Sequence, residues 1–252
     1  MSSVSASRLS CFQQCRLKFY FRYVLGLAKP KSPALHVGSA VHAVLKHWNM
    51  ARWKEQTPTL KGLHDAYSDF WRHEMEESPV VWEAGEEEQE KTTGFKLVET
   101  YIREGPIPND EKPEAVEVSV EADLGEHGLP SLVGIIDLVR SGGRIVDFKT
   151  SGKTPDLEQT AHLYDVQLSA YGVLYREATG KTEAGLELHH LVKTKNPKVV
   201  VLQLPPIDDV QEHRLYHVME SYADGLQRAD WVPSPGLQCA SCQFLTECKA
   251  WC

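Results

Sequence analysis

Apolar residues recur at helical spacing through the first hundred positions of the chain. Four segments, residues 5–23, 37–53, 60–77 and 86–103, place their apolar side chains at intervals of three and four residues, the period of an amphipathic helix. Ser5 or Ser7 can cap the first of them, and Gly26 lies just beyond its end. The acidic run that opens the fourth segment suits a helix N-terminus or a solvated face. The pattern therefore predicts a helical N-terminal region.

The pattern changes at Pro113, where apolar and polar residues begin to alternate. Val116, Val118 and Val120 alternate with polar neighbours, which is the period of a half-buried strand. Further on, the apolar runs and the turn at Gly142 and Gly143 predict more strands and two long helices. These predicted elements are the strands 115–122, 132–139 and 144–149, a helix 157–177, the strands 186–193 and 199–204, and a helix 208–229. The order predicts a mixed α/β domain with a helical N-terminal addition.

Composition adds an asymmetry of charge to this picture. The 252 residues carry a net charge of −8 and 42% hydrophobic residues, an ordinary globular mixture that excludes disordered and membrane-spanning classes. Residues 1–54 hold nine Lys and Arg and no Asp or Glu, so they carry +9. The other 35 acidic and 18 basic residues give −17. This asymmetry favours either a surface for a polyanion or a basic face that pairs with acidic helices.

Six cysteines are unusual for a chain whose polar start lacks a signal-peptide apolar region. We expect an intracellular, cytoplasmic protein, in which structural disulfides are rare. Cys239, Cys242 and Cys248 follow each other at spacings that suit a compact ligand set, which needs one more thiolate. Four thiolates can hold either an iron–sulfur cluster or zinc. We interpret Cys11 and Cys252 as spare thiols.

The sharpest local chemistry lies on two predicted neighbouring strands. Asp137 interrupts an apolar strand, and Asp147 and Lys149 lie two residues apart on the next strand, so their side chains share a face. Two such carboxylates can share a divalent cation, while the lysine orients a water. The arrangement suits metal-assisted hydrolysis of a phosphodiester, although a solvated strand end gives the same triplet. Glu121 is a weaker acidic candidate, because its alternation turns it towards solvent.

Five motifs together resemble one known family over nearly the whole chain. They are residues 134–137 (GIID), 147–150 (DFKT), 38–42 (GSAVH), 167–171 (QLSAY) and the opening stretch 7–21. The set resembles the PD-(D/E)XK nuclease superfamily, in its RecB-like and Cas4-like branch with an iron–sulfur cluster. The one departure is Arg16, where that branch usually has a proline.

The resemblance implies a restriction-endonuclease-like α/β fold, with a mixed central sheet flanked by helices. It divides the chain into a helical region 1–112 with basic first helices, a nuclease core 113–230 and a cysteine-rich tail 231–252 packed with Cys15. It implies Mg²⁺ or Mn²⁺ held by His42, Asp137, Asp147 and the backbone carbonyl of Phe148. Lys149, Gln167 and Tyr171 would complete the catalytic group. Cys15 would join Cys239, Cys242 and Cys248 around a [4Fe–4S] cluster, with zinc as the alternative occupant.

By this resemblance we expect a metal-dependent exonuclease that hydrolyses single-stranded DNA or DNA ends. The basic residues of the first helices would follow the DNA backbone, and one aromatic ring there could stack on bases. The proposed DNA-binding set is Arg8, Arg16, Lys18, Arg22 and Tyr20. Two alternatives stay open: a Cas4-type nuclease that trims prespacers with an integrase, and a non-catalytic DNA-binding module of the same fold. A helicase or recombinase is a further possible protein partner.

Overall fold

The computed structural model describes residues 3–251, and Cys252 lies outside this range. A short first strand leads into the N-terminal helices, and strands and helices then alternate. The helices are α1 (Ala6–Gln14), α2 (Arg16–Phe19), α3 (Pro33–Trp53), α4 (Leu60–Glu77), α5 (Glu86–Glu104), α6 (Leu157–Leu163), α7 (Asp165–Thr179), α8 (Asp209–Gln227) and α9 (Leu245–Lys249). The strands are β1 (Ser3–Ser5), β2 (Ala115–Ala122), β3 (Ser131–Arg140), β4 (Arg144–Ser151), β5 (Gly185–Val192) and β6 (Lys198–Leu204).

The described strands form one mixed sheet of six. Its order is β1-β3-β4-β5-β6, with β2 paired to β3. The pairs β2–β3, β3–β4 and β5–β6 are antiparallel, as the predicted hairpins require. β4 and β5 are parallel because α6 and α7 form the crossover between them. β1 also runs parallel to β3, so the first residues of the helical region belong to the sheet.

Helices cover both faces of the sheet and bury two separate apolar cores. One core joins α3, α4 and α5 to the sheet through buried side chains such as Trp71, Tyr101 and Phe148. The other joins α1, α7 and α8 to the opposite side, with Phe12 and Tyr222 among its rings. Every residue of β5 is buried, because this strand lies between β4 and β6 in a sheet whose two faces are covered by helices.

The predicted strands and most helices agree with the structure to within a few residues. Two predicted helices are each broken in the structure. The one over residues 5–23 breaks at Cys15, which adopts an extended conformation and whose sulfur accepts a hydrogen bond from the Lys18 N–H. The one over residues 157–177 breaks at Tyr164. β1 was not predicted, because three residues are too few to show a period.

The cysteine-rich tail packs against the first helices. The Leu17 N–H donates to the carbonyl of Val232 at 3.2 Å, and Arg16 forms an ion pair with Asp230. Phe244 packs beside Phe21 in a small third core. The tail is thus fixed to the basic end of the chain.

Across residues 3–251, no helix is both long enough and apolar enough to cross a membrane.

Candidate active site

Asp137 lies where two strands of the sheet separate. The register pairs only residues 138–140 of β3 with β4, so the backbone of β4 has no strand partner on this side beyond that point. A side chain replaces the missing ladder bond, because Asp137 Oδ2 accepts a hydrogen bond of 3.0 Å from the Phe148 N–H. The fork therefore places two acidic strand positions, Asp137 and Asp147, close to each other beside α3.

Asp147 is 2% exposed, and three side chains surround its carboxylate. Its Oδ1 accepts hydrogen bonds from Gln167 Nε2 at 2.8 Å and from the Tyr171 hydroxyl at 3.1 Å. Gln167 and Tyr171 can both reach it because they lie one helical turn apart on α7. Lys149 Nζ lies 2.6 Å from Asp147 Oδ2. That contact is an ion pair whose geometry gives no hydrogen bond, so Oδ2 lacks one.

Helix α3 carries His42 to the fork. Gly38 permits the approach, since a Cβ at this position would lie only 3.1 Å from Thr150 Oγ1 on β4. One turn further along the helix, His42 Nδ1 lies 3.4 Å from Asp137 Oδ2. The glycine of the GSAVH motif thus brings the helix against the sheet, and the histidine reaches the carboxylate because of that close packing.

The electrostatics of the cleft favour an added positive charge. Burial, and then the neighbouring charge of Asp147, raise the pKa of Asp137 to about 6. Burial also raises the pKa of the Tyr171 phenol, so its hydroxyl stays a hydrogen-bond donor to Asp147. Asp147 Oδ2 has no hydrogen bond, and the neighbouring Asp137 carboxyl has a raised pKa. A further cation in the cleft would therefore stabilise the ionised form of both carboxylates.

The donor atoms of the cleft suit a hard divalent ion. Two carboxylates, one imidazole and the free carbonyl edge of β4 offer oxygen and nitrogen ligands of the type that Mg²⁺ and Mn²⁺ accept. Within residues 3–251, however, no three His, Cys, Asp or Glu side chains lie close enough together to hold an ion as they stand. The chemistry of the donors therefore fits the ion, and its binding requires the side chains to close around it.

Three residues near the cleft were missed by sequence reasoning. The ring of Tyr164 lies 5.0 Å from Lys149 Nζ. His190 lies beside Lys149 on β5 and is buried with no hydrogen bond to either ring nitrogen among the described residues. Burial and the charge of Lys149 lower its pKa, which keeps it neutral. Glu117 lines the cleft that His42 and Lys149 also line. No motif marks any of the three, because each lies in an ordinary helix or strand pattern.

The four cysteines expected to act together line one cavity beneath the tail. Cys15 reaches it from the break before α2, and Cys239, Cys242 and Cys248 reach it from the tail. All four are free thiols. Burial and then the neighbouring thiols raise the pKa of Cys248, an effect that depends on their proximity. Cys11 instead belongs to the apolar core against α8, outside this cavity. Cys252 lies outside the described residues.

The proposed DNA-binding residues of the first helices differ in what their side chains contact. Lys18 and Arg22 line a groove of about 760 Å³ that also contacts Tyr164 and Gln167 at the edge of the cleft. We call this the basic groove. Arg16 pairs with Asp230, and Tyr20 stacks on Trp231. The Arg8 guanidinium lies 5.1 Å from the Tyr23 ring centroid.

The basic N-terminal segment also pairs with acidic residues elsewhere. Lys29 forms an ion pair with Glu247, and Lys31 forms one with Glu74. Of the two interpretations of the charge asymmetry, internal pairing therefore accounts for part of the segment. The basic groove accounts for another part.

Comparison with known proteins points to one family. The model of the PD-(D/E)XK nuclease superfamily matches residues 3–249. A crystal structure from Eubacterium rectale named "Putative exonuclease" is similar with a TM-score of 0.63 and 16% identity, covering 90% of this chain and 80% of that one. The structure of the protein SSO0001 aligns with a TM-score of 0.39 and 14% identity over 92% of each chain. No curated protein matches the chain.

The likeness to the Eubacterium rectale structure shows a shared fold. It confirms the expected restriction-endonuclease-like arrangement, in which a mixed sheet is flanked by helices on both faces.

Proposed function

The chain belongs to the PD-(D/E)XK nuclease superfamily, and from that premise we propose that it is a metal-dependent deoxyribonuclease of the RecB-like and Cas4-like branch. We propose single-stranded DNA or DNA ends as its substrate and exonucleolytic hydrolysis as its reaction. The observation that carries the proposal is the fork of β3 and β4, where Asp137, Asp147 and Lys149 meet His42 in one cleft. The groups needed for metal-assisted hydrolysis are therefore present together.

In this proposal Mg²⁺ or Mn²⁺ is held by His42, Asp137, Asp147 and the backbone carbonyl of Phe148. When bound, the ion would place positive charge at the scissile phosphate and make water a better nucleophile there. Lys149 orients the water that attacks phosphorus, and the bond from phosphorus to the leaving oxygen breaks as the new bond forms. Gln167 and Tyr171 hold one oxygen of Asp147, which leaves its other oxygen directed at Lys149.

The basic groove supports a path for a DNA strand towards the cleft. Lys18 and Arg22 line the groove together with Tyr164 and Gln167, and these two contact Lys149 and Asp147 of the candidate active site. Two cationic side chains can neutralise successive phosphates, with binding that weakens as salt rises. Arg8, Arg16 and Tyr20 stay in the predicted DNA-binding set. The groove gives stronger support to Lys18 and Arg22, because Arg16 and Tyr20 already contact the tail.

The test is cleavage of end-labelled single-stranded, double-stranded and circular DNA with Mg²⁺, with Mn²⁺ and with a chelator. We expect metal-dependent loss of linear strands and an intact circular strand. Asp147→Ala and Lys149→Ala should abolish cleavage, whereas Lys153→Ala, on the exposed turn after the same strand, should retain it. Cleavage retained in both active-site variants overturns the site, and cut circles overturn exonuclease action. No cleavage under any condition favours the non-catalytic DNA-binding module.

We further propose that Cys15, Cys239, Cys242 and Cys248 hold a [4Fe–4S] cluster. The support is that all four thiols line a single cavity, although they come from sequence positions at both ends of the described range. Cysteine thiolates are the ligands of such clusters. A cluster here would fix the tail to the break at Cys15, and its role would be structural.

Anaerobic purification should give a brown protein with iron and sulfide in equal amounts, close to four of each per chain in the proposed cluster. Cys15→Ser should lose the colour and lower the melting temperature, whereas Cys11→Ser should keep the colour because Cys11 lies outside the cavity. A colourless protein with one zinc per chain overturns the cluster in favour of the alternative occupant.

A further inference from the structure

Glu117 has a backbone conformation that a strand residue rarely adopts. It is the third residue of β2 and has a φ of +50°, in the left-handed region that is strained for a residue with a side chain. The ladder pairs Val116 with Leu138 and Val118 with Ile136, and it leaves out the residues between them. Those residues are Glu117 and Asp137. The distortion therefore falls directly opposite a carboxylate of the candidate active site.

The distortion is accompanied by a second contact between α3 and the sheet. Glu117 Oε2 lies 3.6 Å from Lys46 Nζ, and His42 Nδ1 lies 3.4 Å from Asp137 Oδ2. His42 and Lys46 are one helical turn apart, and residues opposite each other on antiparallel strands have Cα atoms about 4.5–5.5 Å apart. The two contacts therefore lie side by side, and Glu117 is the neighbour of Asp137 in the cleft.

Glu117 is also positioned as a group that remains accessible to a ligand. Its side chain is 21% exposed, compared with 2% for Asp147. It lines the cleft of about 680 Å³ that His42, Phe148 and Lys149 also line. Lys46, the one charged side chain that pairs with Glu117 among the described residues, is half exposed. An exposed ion pair contributes little stability, so this pair does not by itself explain a strained backbone.

We propose that Glu117 supplies a third carboxylate to the divalent-cation site and that Lys46 is the counter-ion it leaves when the cation binds. The inference rests on the proposed function, because it assigns a further residue to the same cation. Glu117 lines the same cleft as His42 and Lys149, whose partners are Asp137 and Asp147, and the buried Oδ2 of Asp147 has no hydrogen bond. Glu121, the weaker acidic candidate suggested by the sequence, lies on the same strand but is exposed and outside the cleft. The proposal therefore assigns the third carboxylate to Glu117 and not to Glu121.

Cation binding in the absence of DNA tests the assignment without any measurement of cleavage. Titration calorimetry with Mn²⁺ should show about tenfold weaker binding for Glu117→Gln, within the 10–100-fold range of residues that support a metal site. Lys46→Gln should bind about twofold to fivefold more tightly, because it removes an exposed competing ion pair. Glu121→Gln is the matched control and should bind as the unchanged protein does.

Glu117→Gly separates a role in cation binding from a structural role. Glycine adopts φ of +50° without steric cost, so this variant should melt at or above the temperature of the unchanged protein while binding Mn²⁺ more weakly. Unaltered Mn²⁺ affinity in Glu117→Gln or Glu117→Gly overturns the proposal. Asp147→Asn in the same titration tests the proposed function separately. If it abolishes binding while Glu117→Gln does not, only the inference about Glu117 fails; if the unchanged protein binds no Mn²⁺, the cation site itself fails.

Discussion

Two buried clusters of charged side chains lie on the same sheet and differ in how completely they are paired. In the first, the paired cluster, Glu187 bonds His189 at 2.8 Å and Arg140 at 3.1 Å, and Arg140 also bonds Glu111 at 2.7 Å. Tyr101 completes it with a hydrogen bond to His189. The second, the fork cluster, is the group around Asp137 and Asp147. There one carboxylate oxygen of Asp147 has no hydrogen bond.

The pKa values of the two clusters move in opposite directions. Burial alone would raise the pKa of Glu187, but the bonds from His189 and Arg140 outweigh burial and lower it. Burial and Asp147 together raise the pKa of Asp137 to about 6, since His42 and Lys149 compensate only in part. Burial alone therefore does not set the direction in which the pKa of a carboxylate moves. The number of donors and cations around it does.

The largest expected effect separates the clusters by activity. Asp147→Asn should lower the rate of DNA cleavage by about 10³-fold, the scale of losing a group that stabilises charge in the reaction, while the variant still folds. Glu187→Gln should cleave at the unchanged rate per folded molecule. Initial rates and melting curves on the same preparations measure both. An Asp147→Asn variant that cleaves DNA at the unchanged rate would show that the carboxylate of Asp147 is not needed for the reaction.

The next effect is the reverse one, on stability. Glu187→Gln removes the carboxylate that balances Arg140 and His189, and breaking a buried pair in this way costs about 3–5 kcal/mol of unfolding free energy. Urea denaturation measures it. Asp224→Asn, which breaks the exposed pair with Arg228, is the control and should cost about 0–1 kcal/mol. Equal losses in the two variants would show that the paired cluster adds no special stability.

The pH dependence of stability should have opposite signs in the two clusters. The pKa of Asp137 is raised, from 3.8 to about 6, so the folded state binds the proton more tightly and the ionised carboxylate destabilises the cation-free protein as pH rises through this window. The pKa of Glu187 is lowered from 4.5, so its stabilisation is present above that value and is lost as pH falls through its folded pKa.

Melting curves at several pH values in a chelator measure both signs. Asp137→Asn should raise the melting temperature above about pH 6, and this gain should disappear towards pH 4. Glu187→Gln should instead lose most stability near neutral pH, with a smaller loss in acid. A pH-independent gain in Asp137→Asn would contradict the raised pKa.

The smallest expected effect concerns the hydrogen bonds that hold Asp147. Tyr171→Phe removes one donor but keeps the ring, and cleavage should slow by about tenfold, as for groups that orient a metal ligand. Tyr216→Phe removes the hydroxyl that contacts Glu212 on α8 and should leave the rate unchanged. If the two variants cleave equally fast, the hydroxyl of Tyr171 does not position Asp147.

Much of the fold could be predicted because its signals are local. The alternation in β2 and the turn at Gly142 fix the strands, and the spacing of Gln167 and Tyr171 places both on one helix face. The structure brings these two residues together with Asp147. Their roles in cation binding and catalysis stay predictions.

The rest depends on contacts that no local pattern encodes. Glu117 has the sequence signature of a solvent-facing strand residue, whereas in the structure its φ is +50° and its carboxylate pairs with Lys46 on α3. The run LELHHLV, which includes Glu187, indicates a buried strand but not the distant Arg140 that makes its charge tolerable. The break at Cys15 likewise lies beside a tail more than two hundred residues away in sequence, since the Leu17 N–H just after it donates to the Val232 carbonyl.

That distance has a consequence for how the molecule is made. Arg16 and Asp230 are 214 residues apart in sequence, and β1 pairs with Ser131–Val133. During synthesis the first strand and the first helices therefore lack these partners until residues 131–133 and Asp230 have left the ribosome. Contacts of such long range form slowly, because the loop between them must close first. A chain interrupted before Asp230 could build most of the sheet but not the contact between the first helices and the tail, so we expect the fold described here to be completed only after the tail has been translated.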